Sequence, residues 1–303
     1  MDDLDKINAG KTNAGKINAR KTIVAEPVLR HGPFPSRIES GRIEPHRIAA
    51  YAAATGDQTA AVLTGDAVPA TYPVILAFGA QEAANSDLPA AAWQQAYGAV
   101  HGAHDIVLHR PLVPDECLQT WAQISAIRTV RPGTQVVLHI EQRDNDGTIV
   151  VEQWWTTVLL GLHTMADMGL SPQDHRFPDP ARLNPIGEAT HHIDKQVAHR
   201  YAEVSGDWSA HHFDISAARA SGFDFLFTHG LCTMAICTHR VLGIAGVDDP
   251  RRVSRVAVRF ASPTPLGSDL AVDVFRIDER AWAFEATCKG VKTISHGRLE
   301  LLS

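Results

Sequence analysis

The feature that most restricts how this chain can fold is a pattern that occurs twice. Residues 46–57 read HRIAAYAAATGD and residues 197–207 read VAHRYAEVSGD. Tyr51, Ala52, Gly56 and Asp57 fall on Tyr201, Ala202, Gly206 and Asp207 at a constant offset of 201 − 51 = 150 residues. Further on, RPLVPDECL (110–118) faces SPTPLGSDL (262–270) at 262 − 110 = 152. Two matches in the same order predict an internal duplication, so whatever one half builds is built again by the other. With 303 residues the chain has room for two units of ordinary domain size.

Each unit pairs a helical stretch with period-two runs. In the second half Val256, Val258 and Phe260 alternate with Ala257 and Arg259, and Leu270, Val272 and Val274 repeat the pattern. Trp282, Phe284, Ala286 and Cys288 form a third run, and Leu299 and Leu301 close a fourth. The first half answers with Val136, Leu138 and Ile140, then Val150, Glu152, Trp154, Thr156 and Val158, with Asp146-Gly147 as a hairpin turn. These runs predict antiparallel strands, in two sheets or in one continuous sheet. Residues 231–242 (LCTMAICTHRVL) are apolar on nearly every side, which predicts a helix wrapped by a sheet; its counterpart in the first half is expected over residues 74–84. The fold class is therefore α+β: a long curved antiparallel sheet around a buried helix, made twice.

Composition narrows the partners. Net charge is −6, which argues against a general nucleic-acid binder, and no apolar run approaches the ~18 residues of a membrane span. Cys117, Cys232, Cys237 and Cys288 form no CxxC pair, so neither a zinc knuckle nor a disulfide framework is signalled, and Cys232 and Cys237 are read as core. A cytoplasmic protein is expected. Residues 1–40 are read as a flexible leader, because residues 6–22 repeat a five-residue unit three times with little to bury. The divisions expected are a first repeat over 41–162, a linker rich in Pro, Asp and Gly over 163–190, and a second repeat over 191–303.

The second half also carries SGDWSAHHFD (205–214) and, about 15 residues on, THGLC (228–232). This stretch resembles the hydratase motif of the MaoC-like, R-specific enoyl-CoA hydratases, GDxNPxHxD followed by an HG element. The resemblance implies a double hot-dog fold over residues 41–303 and a hydro-lyase acting reversibly on trans-2-enoyl thioesters. Position by position, the motif's Asp is Asp207, its His is His212, its downstream Asp is Asp214, and the HG element is His229 and Gly230. Ser209, Ala210 and His211 stand where the family has Asn, Pro and an apolar residue.

The reaction explains the residue types. Adding water across an enoyl thioester needs a base for the water proton and an acid for the α-carbon, and an Asp and a His sharing one water can supply both. The developing enolate needs a donor at the thioester oxygen, which a backbone N–H at a helix N-terminus provides. Asp207, His212 and Gly230 are accordingly the expected catalytic groups, with Ser209, Asp214 and His229 in support. Asp214 could equally cap a helix beginning near Ile215. No cofactor and no metal is expected; the pairs His191–His192 and His211–His212 lack flanking acidic or Cys ligands at tight spacing.

In the first half Asp57 remains, but Val62 stands where the second half has His212, and Tyr72-Pro73 stands where it has His229-Gly230. Asp57 is therefore read as a turn residue without a partner. The resemblance implies that residues 46–100 shelter an acyl chain instead of acting on it. The expected partner is an acyl-CoA or acyl-carrier-protein thioester, and a homodimer is compatible with the family. Arg251, Arg252, Arg255, Lys289 and Lys292 are read either as contacts to the phosphates of such an arm or as a solvated basic face. Two other classes stay open: a hot-dog acyl-CoA thioesterase, and a non-catalytic acyl-thioester binder.

Overall fold

The computed structural model of the protein describes residues 36–163, 167–169 and 174–302. Most of the expected leader, residues 1–35, thus lies outside the described residues, as do 164–166 and 170–173 of the linker. In chain order the first half contains β1 (Arg37–Arg42), α1 (Pro45–Thr55), α2 (Ala60–Leu63), a 3-10 turn (Tyr72–Leu76), α3 (Phe78–Asn85), α4 (Ala90–Gln95), β2 (Gly98–Leu108), β3 (Cys117–Val130), β4 (Gly133–Arg143) and β5 (Ile149–Leu160). After β6 (Met168–Gly169) and a 3-10 turn (Asp179–Leu183), the second half contains β7 (Pro185–Ile193), α5 (Val197–Ser205), a 3-10 turn (Ala210–His212), α6 (Ile215–Ala220), β8 (Phe227–Thr228), α7 (Gly230–Ala245), β9 (Val253–Phe260), β10 (Thr264–Pro265), β11 (Ser268–Arg276), β12 (Ala281–Cys288) and β13 (Val291–Leu301).

The strands form one continuous 11-stranded sheet, which decides between the two arrangements the sequence allowed. Its order is β1, β3, β4, β5, β2, β9, β13, β12, β11, β7, with β6 added to β3. Read inwards from either edge, the two halves match strand for strand: β1 with β7, β3 with β11, β4 with β12, β5 with β13 and β2 with β9. The duplication is therefore an architectural one, with a pseudo-twofold axis between β2 and β9. Across that seam Arg255 holds Asp105 through two hydrogen bonds of 3.0 and 2.6 Å, both side chains buried. A buried pair of this kind fixes register, since a slip would leave a charge unpaired. Arg255 is thus not part of a solvated basic face, and Arg251 and Lys292 are likewise engaged, by Asp249 and Glu285.

Inside the sheet, α7 buries residues on all sides, from Leu231, Cys232 and Met234 to Val241 and Leu242. That matches an apolar helix with no polar face to give to solvent. The first half departs from this plan. Its counterpart over 74–84 is broken into the 3-10 turn Tyr72–Leu76, entered through Pro73, and the shorter α3. In β5 the row facing this helix contains Gln153 and Trp155, with Trp155 edge-on to Phe78 at 5.2 Å, whereas the row through Glu152 and Trp154 meets His139 on the other face.

Boundaries shift as well. β1 starts at Arg37, inside the expected leader, because it pairs with β3 from Arg37↔Ala122 onward. Residues 185–190 of the expected linker belong to β7, which pairs with β11. Of the linker's other described residues, Met168 and Gly169 pair with β3 of the first repeat, while Phe177 packs on Phe275 and Arg182 pairs with Glu285 in the second. The two repeated helices meet across the pseudo-axis: Tyr51 of α1 and Tyr201 of α5 lie 6.0 Å apart by ring centroid, and Arg47 donates to Val204 O at 3.0 Å. No helix among the described residues is long and apolar enough to cross a membrane.

Candidate active site

The site begins where α5 stops. Gly206 caps the helix in the left-handed region (φ 83°), a conformation that glycine adopts without strain, and its N–H bonds Ala202 O. The chain then turns through Asp207, whose Oδ1 accepts from the Ser209 N–H at 3.1 Å and the Ser209 hydroxyl at 2.5 Å. Asp207 Oδ2 is left facing His229, 3.9 Å from its Nε2. Directly after Ser209, the 3-10 turn Ala210–His212 folds His212 inwards until the residue is only 5% exposed. Its Nδ1 lies 3.0 Å from Phe227 O. A carbonyl can only accept, so Nδ1 carries the proton and Nε2 keeps its lone pair. By the same rule His229 Nε2, 2.9 Å from Asp207 O, is the donor, and its Nδ1 is buried without a partner.

His229 lies against His212 with ring centroids 3.8 Å apart and is itself the N-cap position of α7. Gly230 opens the helix, so its N–H belongs to the first turn, where backbone donors have no intrahelical acceptor. A side chain at 230 would crowd the Phe260 ring, since a Cβ there would stand 3.2 Å from Phe260 Cε1. The structure therefore brings Asp207, His212, His229 and the α7 N-terminus to one place, with Ser209 steering the carboxylate. Asp214 does something else. Its side chain accepts from Ser216 N at 2.7 Å and caps α6, the second of the two readings the sequence left open.

Electrostatics set the resting protonation. Burial, then the neighbouring His229 and His211, push the His212 imidazole down to about 3. Burial likewise lowers His229 and His211. Burial alone would raise Asp207, but His229, the two Ser209 hydrogen bonds and His212 outweigh it and hold the carboxyl below its usual range. At neutral pH the site thus presents a carboxylate and neutral imidazoles, of which His212 keeps the lone pair of its Nε2. Asp207, His212 and His229 place potential metal-ligand atoms within 4.8 Å of one another, as do His139, Glu141 and Glu152 on β4 and β5.

At the related place in the first repeat, Asp57 has a neighbour that its sequence surroundings did not suggest. Its Oδ2 lies 3.2 Å from His239 Nδ1, both side chains buried, although the contact is not aligned as a hydrogen bond. The partner comes from α7 of the other repeat, 182 residues away (239 − 57), so no local spacing could have announced it. A second set missed by sequence reading is the polar row His101, His104, Gln153 and Gln142 inside the first repeat. Of the two histidine pairs, His191 Nδ1 accepts from Arg240 at 2.9 Å, the exposed His192 meets Asp269 at 2.7 Å, and His211 stacks on Phe227.

Comparison with known proteins places these features. The MaoC like domain family matches residues 179–297, the second repeat. A relative from Mycobacterium tuberculosis, 3-hydroxyacyl-thioester dehydratase X, is 30% identical over 231 residues, covering 76% of this chain and 75% of its own. The peroxisomal multifunctional enzyme type 2 of Drosophila melanogaster is 26% identical over 185 residues, which is 58% of this chain but only 30% of that longer protein. Among solved structures, a MaoC-like dehydratase from Phytophthora capsici superposes with a TM-score of 0.75 over 89% of this chain and 96% of that one, at 20% identity. The chain belongs to the MaoC-like dehydratase family.

Proposed function

We propose that this protein is a hydro-lyase that interconverts trans-2-enoyl thioesters and (R)-3-hydroxyacyl thioesters, with its chemistry in the second repeat. The observation that carries the reading is the gathering of Asp207, His212 and His229, with a carboxylate oxygen and ring nitrogens within 4.8 Å of one another, beside the residue that opens α7, while His212 Nδ1 is taken up by Phe227 O. Two acceptors facing one point suit a water that donates a hydrogen to each and turns its own lone pair to the β-carbon of the substrate. As the C–O bond forms, His212 takes the water proton, and the imidazolium returns it to the α-carbon; Asp207 holds the second hydrogen and stabilises the transient cation. The thioester oxygen gathers charge meanwhile, and the Gly230 N–H, fixed and aligned with the helix dipole, meets it without reorganisation. Run backwards, the same groups dehydrate the 3-hydroxyacyl thioester.

The first repeat keeps the fold of a catalytic copy without its chemistry, and its role in this reading is to receive the acyl chain. The name of the M. tuberculosis relative supports the reaction class. The thiol carrier is coenzyme A or an acyl carrier protein. Incubation with crotonyl-CoA tests the proposal: hydration removes the enoyl absorbance and releases no thiol. Thiol release at the rate of absorbance loss would make the protein a thioesterase, and binding without either change would make it a non-catalytic binder.

A further inference from the structure

The side chains that would meet an acyl tail start at Gly230 itself. The Phe260 ring lies against the glycine, its Cε1, Cδ1 and Cζ all within 3.4 Å of where a Cβ would stand. From there rings follow one another into the first repeat. His101 is 4.7 Å from Phe260 by centroid, Trp155 stacks on His101 at 4.6 Å with 3° between planes, and Phe78 stands edge-on to Trp155 at 5.2 Å. These separations are those of rings in contact, with no width for a methylene chain between them. The series runs from β9 through β2 and β5 to α3, the direction in which the first repeat would take the tail.

A wall of rings can slide aside unless one of them is tied, and His101 is tied. The tie begins at Pro73 O, which can only accept. Gln142 Nε2 donates to it at 3.0 Å, Gln142 Oε1 accepts from Gln153 Nε2 at 2.9 Å, and Gln153 Oε1 accepts from His104 Nε2 at 3.0 Å. That leaves His104 Nδ1 as the acceptor for His101 Nε2–H at 3.3 Å. Every donor and acceptor is assigned by the one before it. Burial holds His104 down at about 4 and His101 well below its ordinary value, so the neutral rings this chain requires are the stable ones. Turning the His101 ring would orphan a buried nitrogen in the row, which proteins rarely tolerate.

We propose that Phe260, His101, Trp155 and Phe78 form a fixed floor to the acyl pocket and confine this enzyme to short-chain enoyl thioesters, an inference that rests on the hydratase reading above. The test is a ladder of enoyl-CoA substrates, from crotonyl-CoA through octenoyl-CoA to decenoyl-CoA, applied to the parent, to Trp155→Ala and to His101→Ala. In the parent, kcat/KM falls by about tenfold or more between crotonyl- and octenoyl-CoA, since methylenes left unburied forfeit their transfer free energy. In the variants the octenoyl-to-crotonyl ratio of kcat/KM rises by about tenfold. A parent that handles both substrates equally, or folded variants whose ratio stays at the parent value, would overturn the floor. Should Trp155→Ala fail to fold, the parent ladder and His101→Ala decide the matter. Failure of the parent on every chain length defeats the hydratase reading and the floor together, an outcome distinct from turnover without chain-length discrimination, which defeats the floor alone.

Discussion

Asp57 and Asp207 finish the same piece of architecture in the two repeats. Each follows a helix closed by a left-handed glycine, Gly56 at φ 69° and Gly206 at φ 83°. Each folds its Oδ1 back onto the N–H two residues on, Thr59 at 2.9 Å and Ser209 at 3.1 Å. The difference lies in what the second oxygen meets. In the second repeat it lies 3.9 Å from Nε2 of His229, the N-cap residue of α7, with the carboxylate 21% exposed. In the first it is sealed against His239 with 2% exposure, and the position matching His212 is the fully buried Val62. One turn thus serves as scaffold in one repeat and, in the proposed mechanism, as catalytic apparatus in the other. The Gly-Asp sequence specifies the turn, and the histidines brought to it specify the chemistry.

The largest effect expected from breaking this contrast is at His212. His212→Ala removes the lone pair that the first repeat lacks, and kcat for crotonyl-CoA should fall by about 10²- to 10⁴-fold with the melting temperature little changed. Asp57→Ala should do the reverse: thermal or urea unfolding should register a loss of about 1–3 kcal/mol as the turn loses its hydrogen bond from Thr59 N–H, while kcat/KM stays near the parent value.

Acid sharpens both repeats together. Burial lowers His101, His104 and His239 on the first-repeat side and His212 and His229 at the site. A folded chain whose histidines refuse protons that the unfolded chain accepts is at full stability above about pH 6.5 and loses it as pH falls below that value. A melting series in acid buffers checks this, and the acid limb of kcat/KM should likewise lie below pH 6.5. The smallest effect is at Ser209. Ser209→Ala removes one of the two hydrogen bonds that aim Asp207, and kcat should drop by roughly tenfold; Ser209→Asn, which restores the family residue, should recover much of it.

How much of this could be read from the sequence follows from where the information sits along the chain. The duplication, the paired strands and the helix that became α7 were legible because each is a local period or a repeated string. The candidate site was legible as a cluster because Asp207, His212, His229 and Gly230 lie within 24 residues (230 − 207 + 1) and resemble a known motif. What stayed hidden was brought together by the fold: His239 reaches Asp57 from the other repeat, and Gln142, Gln153, His104 and His101 join across three strands. Gln153 in particular occupies an inward position that an apolar/polar alternation assigns to solvent; it is stable there because both ends of its amide are bonded. The start of β1 was missed for a related reason, since its pairing with β3 lies some 80 residues downstream (122 − 37 = 85).

The most direct measurement is the rate of crotonyl-CoA hydration by Asp207→Asn, compared with the parent at matched melting temperature. Asparagine keeps the shape and can still accept from Ser209 while giving up the charge. With the carboxylate acting on water as described, the rate should fall by about 10²-fold or more. A folded Asp207→Asn protein that hydrates crotonyl-CoA at the parent rate would contradict the assignment of the chemistry to this carboxylate and its histidine.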